Sequence, residues 1–266
     1  MKVVLFCGGL GTRLREHSET IPKPLVTVGY RPIIWHLMRY YAHFGHRDFI
    51  LCLGYRGDLI REYFLNYRDC MSNDFVLSLP NGTIQQLESD VQDWRITFVD
   101  TGMHSNLGQR LTRVRHLLRN EDMFLANYSD GLSDLDLADH VASFQRSDAA
   151  ATFLAVRPAQ SFHSVAVDEG GVVRSIEPIH SADIWVNGGY FCLRNEVFDA
   201  MNEGEELVEQ PFQRLLARGK VHARRHDGFW AAMDTFKDKI NFDRMEAKGD
   251  CPWMIWRQKS NSGAGA

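Results

Sequence analysis

The stretch KVVLFCGGLGTRLREHSETIPKPL (residues 2–25) decides how the chain begins to fold. Its opening KVVLF is a short β-branched run, which predicts a buried strand that ends at Gly8. Glycines let a backbone approach a phosphate closely and expose its N–H groups, and Thr and Arg side chains add further donors. The stretch therefore predicts either a phosphate-binding loop or a tight turn between a strand and a helix. The residues that would face a phosphate are Gly8, Gly9, Gly11, Thr12 and Arg13.

Two standard nucleotide motifs are absent from this stretch. It contains no G-x-x-x-x-G-K-[ST], and Leu14 stands where the dinucleotide fingerprint has its third glycine. Farther along, Pro22 and Pro24 enclose Lys23, and the prolines stiffen the backbone and limit where the ammonium can point. A lysine held opposite a phosphate loop suits charge neutralisation in phosphoryl transfer, whereas a solvated loop lysine is the alternative.

Composition narrows the class of protein. The 266 residues suffice for one large α/β domain or two small ones, and the net charge of −4 favours neither nucleic acid nor a membrane surface as a partner. No apolar run approaches the roughly 20 residues of a membrane span, and VVLFC is too short for a signal peptide. Five cysteines without a CxxC pair predict reduced, mostly buried thiols and a cytoplasmic location. They are Cys7, Cys52, Cys70, Cys192 and Cys251.

Strands and helices alternate along the first 160 residues or so. Such alternation predicts an α/β fold with a mainly parallel sheet and helices on both faces. Later runs are shorter and more β-like. We expect one domain over residues 1–256 and a flexible tail over 257–266. The further strands predicted from apolar runs are DFILCL (48–53), WRITFVD (94–100), DMFLANY (122–128) and AAATFLAV (149–156).

Several motifs follow in order, and with the first stretch they resemble the sugar-nucleotide pyrophosphorylases, the nucleotidylyltransferases that act on sugar phosphates. Within that family the chain looks most like the glucose-1-phosphate cytidylyltransferases. The resemblance implies a Rossmann-like α/β/α sandwich of the nucleotide-diphospho-sugar transferase type, a smaller β-rich acceptor region and a homo-oligomer. The motifs are GGLGTRL (8–14), PKPL (22–25), PIIWH (32–36), YSDGLSDLDL (128–137), NGGYF (187–191) and GFWAAMDTFKDK (228–239).

The resemblance also implies roles for particular residues. The glycine loop with Thr12, Arg13 and Lys23 would hold the triphosphate of CTP, and Arg13 and Lys23 would be catalytic. Arg110, in GQRLTRV, and Ser129 would lie at the nucleotide.

Two aspartates far apart in sequence are the candidate metal ligands. The resemblance places Mg²⁺ at Asp130 and Asp234, and Mg²⁺ commonly takes one or two carboxylates together with phosphate oxygens and water. Without the resemblance, Asp130 followed by glycine predicts a turn. Asp134 and Asp136 form a D-x-D, a metal motif of many glycosyltransferases. Carboxylates at a helix start also favour the helix dipole, and we prefer that interpretation.

The region expected to bind the acceptor, after about residue 157, departs from the family pattern. The family's E-K-P motif, whose lysine binds the sugar phosphate, is reduced here to Glu177 and Pro178, and its RFG segment is SFH. Losing a charge-assisted hydrogen bond costs about 1.5–3 kcal/mol, so either His163, His180 or Arg157 replaces the lysine or the acceptor differs. We expect a different acceptor: another sugar phosphate, or a non-sugar phosphate or phosphonate. The candidate acceptor contacts are His163, Glu177, His180, Asn187 and Gly188.

The predicted reaction is attack by an acceptor phosphate oxygen on the α-phosphorus of a nucleoside triphosphate, with release of pyrophosphate. A phosphate monoester is already anionic at neutral pH, so positioning and charge stabilisation suffice and no general base is required. Two alternatives stay open: a glycosyltransferase that uses the D-x-D, and a catalytically idle nucleotide-binding homologue. The presence of Arg13, Lys23, Asp130 and Asp234 together argues against the idle homologue.

Overall fold

A computed structural model describes residues 1–9, 21–68, 72–87, 89–91, 93–158, 162–181 and 183–257. The strands in this part of the chain are β1 (Lys2–Phe6), β2 (Thr27–Val28), β3 (Arg31–Pro32), β4 (Asp48–Leu53), β5 (Phe75–Ser78), β6 (Thr83–Gln86), β7 (Arg95–Asp100), β8 (Met123–Tyr128), β9 (Gly131–Ser133), β10 (Ala151–Val156), β11 (His163–Val167), β12 (Val173–Pro178), β13 (Val186–Asn187), β14 (Phe191–Arg194), β15 (Val221–His226) and β16 (Trp230–Ala232). The α-helices are α1 (Ile33–His43), α2 (Gly57–Leu65), α3 (Leu107–Val114), α4 (Leu137–Arg146), α5 (Gln210–Leu216) and α6 (Phe236–Ala247).

An eight-stranded sheet forms the centre of the molecule, in the order β7–β4–β1–β8–β14–β10–β15, with the short β13 also paired to β10. The pairs of β1 with β4 and β8, of β4 with β7 and of β10 with β15 are parallel. β14 is antiparallel to β8 and β10, so β13 and β14 alone in this sheet run against the other described strands. Ligands of such α/β sheets bind at the edge where the parallel strands end. The residues that follow β1, β8 and β10 therefore share one edge.

The central sheet is covered on both faces, and β1 shows why. Val3 and Leu5 point into a core cluster that includes side chains of α1 and α6, whereas Val4 and Phe6 point into a second cluster with side chains of α3 and α5. Successive strand residues face opposite sides of a sheet, so a short run that is apolar throughout must be buried on both faces. The α/β sandwich and the mostly parallel sheet predicted from the sequence are confirmed.

Two small hairpins extend from this framework. β5 pairs with β6, and β11 pairs with β12, each in its own two-stranded antiparallel sheet. The residues of β5 and β6 are all exposed, and those of β11 and β12 are mostly so. The β11–β12 hairpin matches the β-rich region expected after residue 160. The β5–β6 hairpin was not predicted, since its two strands, FVLS and TIQQ, are short and show no alternation of apolar and polar residues.

One predicted helix starts later than its sequence pattern suggests. The segment EELVEQPFQRLLARG has helical spacing from residue 205, but α5 begins at Gln210, with Pro211 in its first turn. Glu205 forms an ion pair with Arg214, and the Glu206 carboxylate accepts hydrogen bonds from backbone N–H groups. These side-chain contacts hold the preceding residues outside the helix, and proline suits its first turn.

The described part of the chain contains no helix that is both long and apolar enough to cross a membrane. Its cysteines carry free thiols: Cys7, Cys52 and Cys192 are buried and Cys251 is partly buried. Cys70 lies outside the described residues.

Candidate active site

The pairing of β9 with β16 brings Asp130 and Asp234 to one place. β9 begins directly after Asp130, and β16 ends two residues before Asp234. Ala232 is in register with Gly131, and the backbone N–H of Met233 donates to the carbonyl of Asp130 at 2.9 Å. The hydrogen bonds between β9 and β16 therefore continue up to the two aspartates. They bring together residues that are more than 100 positions apart in the sequence.

Lys23 occupies the space between the two carboxylates. It begins a short 3₁₀ turn, Lys23–Leu25, in which Pro24 is buried. Its Nζ contacts Oδ2 of Asp130 and lies 2.8 Å from Oδ1 of Asp234. Burial alone would lower the pKa of Lys23, but Asp130 and then Asp234 raise it above its ordinary value. The ammonium is thus a fully charged counter-ion of both carboxylates at neutral pH.

The Asp130–Asp234 pair fits a divalent cation. Both carboxylates are partly exposed, with side-chain exposures of 21% and 41%, and they already share one cation, the Lys23 ammonium. Mg²⁺ needs only one or two carboxylates when phosphates and water complete its octahedron. The described residues contain no group of three or more His, Cys, Asp or Glu that could hold a metal by themselves. A metal held by Asp130 and Asp234 would take further ligands from water or from a phosphate.

Gly8 is packed against the Arg110 guanidinium. Nη2 of Arg110 donates to the Gly8 carbonyl at 3.0 Å, and Nη1 donates to the carbonyl of Leu53 at 3.1 Å and to Oγ1 of Thr101 at 2.7 Å. The Arg110 side chain is buried, and a Cβ at Gly8 would overlap its guanidinium. Arg110 therefore fixes the backbone just after β1 through its hydrogen bond to the Gly8 carbonyl.

A cavity of about 340 Å³ extends from Lys23, Asp130 and Asp234 past the end of β1 to the beginning of α3. Ser129 lies in its wall and donates its hydroxyl to the Phe6 carbonyl at 2.8 Å. Of the nucleotide residues expected from the sequence, Gly11, Thr12 and Arg13 lie outside the described part of the chain. The expected residues that line the cavity are Gly8, Gly9, Lys23, Arg110, Ser129, Asp130 and Asp234.

Sequence analysis missed Glu206, which lines the far end of the same cavity. Its Oε2 accepts from the N–H of Leu107 at 3.2 Å and its Oε1 from the N–H of Leu207 at 3.0 Å. Burial raises the pKa of Glu206, against the lowering effect of these two N–H groups. Nothing in the local sequence distinguishes this carboxylate, because the acidic run before α5 has the composition of an ordinary helix start.

The expected acceptor residues fall into two sets. Asn187 and Gly188 lie beside the cavity: Nδ2 of Asn187 donates to the Tyr128 hydroxyl at 3.1 Å, and the Gly188 carbonyl accepts from Nε1 of Trp230 at 2.9 Å. Tyr128 itself lines the cavity.

The other set lies on the β11–β12 hairpin. His163 is in register with Pro178, and His163 and Glu177 are both exposed and are not among the described lining residues of the cavity. The backbone of His180 continues this segment in a 3₁₀ turn, but its side chain falls outside the described part of the structure. Of the described candidates, Asn187 therefore contacts a residue that lines the cavity, whereas His163 and Glu177 do not line it.

The D-x-D residues have structural partners. Asp136 is the N-cap of α4, and its side chain accepts from the Asp139 N–H at 3.0 Å, as the preferred interpretation predicts. Asp134 instead accepts from Nε2 of His226 at 2.9 Å. This contact ties the end of β9 to the end of β15, and the chain then turns into β16. Asp134 and His226 thus support the strand that leads to Asp234.

The chain is similar in sequence and in fold to known nucleotidyltransferases. A model of the nucleotidyl transferase family matches residues 2–244. A glucose-1-phosphate cytidylyltransferase of Salmonella typhi is 37% identical over 258 residues, which cover 96% of this chain and all of that protein. A probable glucose-1-phosphate cytidylyltransferase of Bacillus subtilis is 36% identical with the same coverage. A crystal structure of UDP-glucose pyrophosphorylase complexed with UDP-glucose shares the fold, with a TM-score of 0.67 at 16% identity over 93% of this chain and 98% of that one.

The chain belongs to the nucleotidyl transferase family. It is an enzyme of the nucleotidyltransferase class, of the sugar-1-phosphate cytidylyltransferase type, as the identity of 36–37% over nearly the full length shows. The family resemblance predicted from the motifs is confirmed.

Proposed function

We propose that this protein is a Mg²⁺-dependent enzyme that transfers CMP from CTP to a small phosphorylated acceptor and releases pyrophosphate. The observation that carries the proposal is the contact of one ammonium, that of Lys23, with the carboxylates of both Asp130 and Asp234 in the cavity at the end of β1. Relatives named glucose-1-phosphate cytidylyltransferase support the choice of CTP and of a phosphorylated acceptor.

Asp130 and Asp234 would hold the Mg²⁺ together with oxygens of the triphosphate. When bound, Mg²⁺ would neutralise charge on the phosphate oxygens and so favour displacement at the α-phosphorus. Lys23, which lies between the two carboxylates, would donate to the same phosphates, and Arg13 would add a second cation. The acceptor phosphate needs no general base, because its attacking oxygen is already anionic. The work of these residues is to align the two phosphates and stabilise the charge that develops between them.

We infer that the acceptor differs from the family's usual one. The lysine of the E-K-P motif is missing, and a different cationic group stands at the same edge of the sheet, directly after β10. The guanidinium of Arg157 lies 4.5 Å from the centre of the Trp185 ring, and that of Arg225 lies 5.1 Å from it. Arg157 follows β10, and Arg225 lies on the neighbouring β15. Since β14 is the one strand between β8 and β10, β10 lies about 10 Å and β15 about 14 Å from the strand that leads to Asp130. The two arginines support an anionic acceptor, whether sugar phosphate, other phosphate or phosphonate.

The two alternative functions receive less support. A glycosyltransferase that uses the D-x-D would need free carboxylates, but Asp136 caps α4 and Asp134 binds His226. A catalytically idle homologue would not require the contacts of Lys23 with Asp130 and Asp234.

We also propose that residues 1–256 form one domain of a cytoplasmic homo-oligomer. The family match over residues 2–244 supports one domain, and the free thiols support a reducing compartment. Exposed apolar side chains often mark contacts between proteins, and the β5–β6 hairpin carries four. They are Phe75, Val76, Leu77 and Ile84.

A pyrophosphate-release screen tests the function. CTP, UTP, dTTP, ATP and GTP would each be combined with sugar 1-phosphates, other small phosphates and phosphonates, with and without Mg²⁺. Release that requires Mg²⁺ and is fastest with CTP is the expected result. Release with no pair would support the idle homologue. Formation of a glycoside from a nucleotide sugar, without pyrophosphate, would support the glycosyltransferase.

A further inference from the structure

The cavity has two chemically different ends. One end holds Lys23, Asp130 and Asp234, and the other is formed by Ser105, Asn106, Leu107 and Glu206 at the beginning of α3. A nucleoside triphosphate also has two different ends, a polyanion and a neutral base. The orientation of the nucleotide therefore decides which of its groups meets Glu206. This inference rests on the proposed nucleotidyl transfer and adds how the base is chosen.

Glu206 excludes phosphate from the α3 end. The first N–H groups of a helix and its dipole would ordinarily attract an anion. Here the Glu206 carboxylate already accepts from the N–H of Leu107, the first residue of α3, so a phosphate would meet a negative charge. The triphosphate is thereby directed to Lys23, and the base is left at the Glu206 end.

The start of α3 has a capping box of its own, besides the contact of Glu206 with the Leu107 N–H. Asn106 is the N-cap, its side chain accepts from the Gln109 N–H at 2.8 Å, and the Gln109 side chain accepts from the Asn106 N–H at 3.0 Å. This reciprocal capping box satisfies the N–H groups of Asn106 and Gln109 without a carboxylate. Glu206 is nevertheless partly buried and lines the cavity.

An ionised carboxylate can only accept hydrogen bonds. Each oxygen of Glu206 receives one backbone N–H, from Leu107 or Leu207, and keeps a further lone pair for a donor in the cavity. Cytosine carries an amino donor at C4, whereas uracil and thymine carry a carbonyl acceptor there, and a carboxylate pairs with the cytosine amino group. We propose that Glu206 accepts a hydrogen bond from the exocyclic amino group of the base and so selects CTP over UTP and dTTP.

The test compares wild type with Glu206→Gln, which keeps the shape of the side chain but offers an amide donor to the carbonyl of uracil. Steady-state kcat and KM would be measured for CTP and UTP with one acceptor. We expect the wild-type ratio of kcat/KM for CTP over UTP to fall by about 10- to 100-fold, the range of one good base contact. The change should lie mainly in KM, since the base is remote from the reacting phosphorus. Glu209→Gln, an exposed neighbour, should leave the ratio unchanged.

Calorimetric binding of CTP and UTP without acceptor separates this inference from the proposed function. Tighter binding of CTP than of UTP by wild type, lost in Glu206→Gln with an unchanged melting temperature, would support the role of Glu206 even if no acceptor were turned over. An unchanged ratio in Glu206→Gln, or equal use of CTP and UTP by wild type, would overturn it. Failure of every nucleotide to release pyrophosphate would count against the proposed function alone.

Discussion

The Nζ atom of Lys23 lies 2.8 Å from Oδ1 of Asp234, a residue 211 positions later in the chain. The same ammonium contacts Asp130, which is 107 positions from Lys23. A turn after β1, the end of β8 and the end of β16 must all be in place before these three groups can meet. The three residues therefore form one electrostatic unit, and a change in one alters the state of the other two.

Asp130→Asn and Asp234→Asn are each expected to lower kcat/KM by at least about 100-fold, the usual cost of losing a group that stabilises charge in a transition state. Each variant should also bind Mn²⁺ with CTP more weakly in a paramagnetic-resonance titration, which reports on the metal independently of turnover. Asp250→Asn, an exposed carboxylate, is the matched control. Full activity in both cavity variants would refute the metal assignment.

Lys23→Met should reduce both activity and stability. Without the ammonium, two carboxylates face each other with no counter-charge, and the free energy of unfolding at pH 7 should fall by about 1–3 kcal/mol. Urea denaturation measures the change. Adding Asp130→Asn to Lys23→Met removes the repulsion and should restore part of the loss. A double variant no more stable than Lys23→Met would show that the three groups are not coupled.

Gly8→Ala places a methyl group against the Arg110 guanidinium, which is itself held by three backbone carbonyls and a hydroxyl. We expect a loss of about 1–3 kcal/mol in the free energy of unfolding, as for other overpacked sites. Gly9→Ala is the control for stability, because a Cβ there meets no atom of the described residues within 4 Å. Equal stability of the two variants would contradict the close packing of Gly8 on Arg110.

Acid should destabilise the fold through buried histidines. Burial lowers the pKa of His36 and of His140 to about 4, whereas the pKa of an unfolded histidine is near its ordinary value of 6.5. Between pH 6.5 and 4 the unfolded state binds protons that the folded state does not, so each histidine lowers stability by about 1.4 kcal/mol per pH unit. Above pH 6.5 neither state is protonated and the effect vanishes.

Denaturation curves at several pH values test this expectation. His36→Gln and His140→Gln should each flatten the dependence of the free energy of unfolding on pH between 6.5 and 4. A slope as steep as that of wild type in both variants would mean that these histidines are not kept neutral by the fold.

Asp136→Ala should separate a structural D-x-D from a catalytic one. The variant loses the N-cap of α4 and should be less stable by about 0.5–2 kcal/mol, with pyrophosphate release retained below its melting temperature. Abolished turnover in a folded variant would revive the glycosyltransferase alternative.

Arg110 and Glu206 are two residues whose side-chain contacts could not be predicted from the sequence. The motif around Arg110 predicted a residue near the nucleotide, and the structure places it in the cavity wall, but its guanidinium is bound to backbone carbonyls that support the glycine turn. Glu206 has no motif, and its position depends on α3 meeting a loop about 100 residues later in the chain. Side-chain direction and contacts between distant segments are set by packing, which local patterns do not encode.

The sequence by itself determined the strand that opens the chain and the alternation of strands and helices, because periodicity is read over short segments, and the resemblance of its motifs to a known family pointed to Lys23, Asp130 and Asp234. Only the tertiary structure decided that these three groups share one end of a cavity. That outcome depends on the pairing of β9 with β16 and on the strand order of the sheet, which arise from burial of apolar faces on both sides of β1.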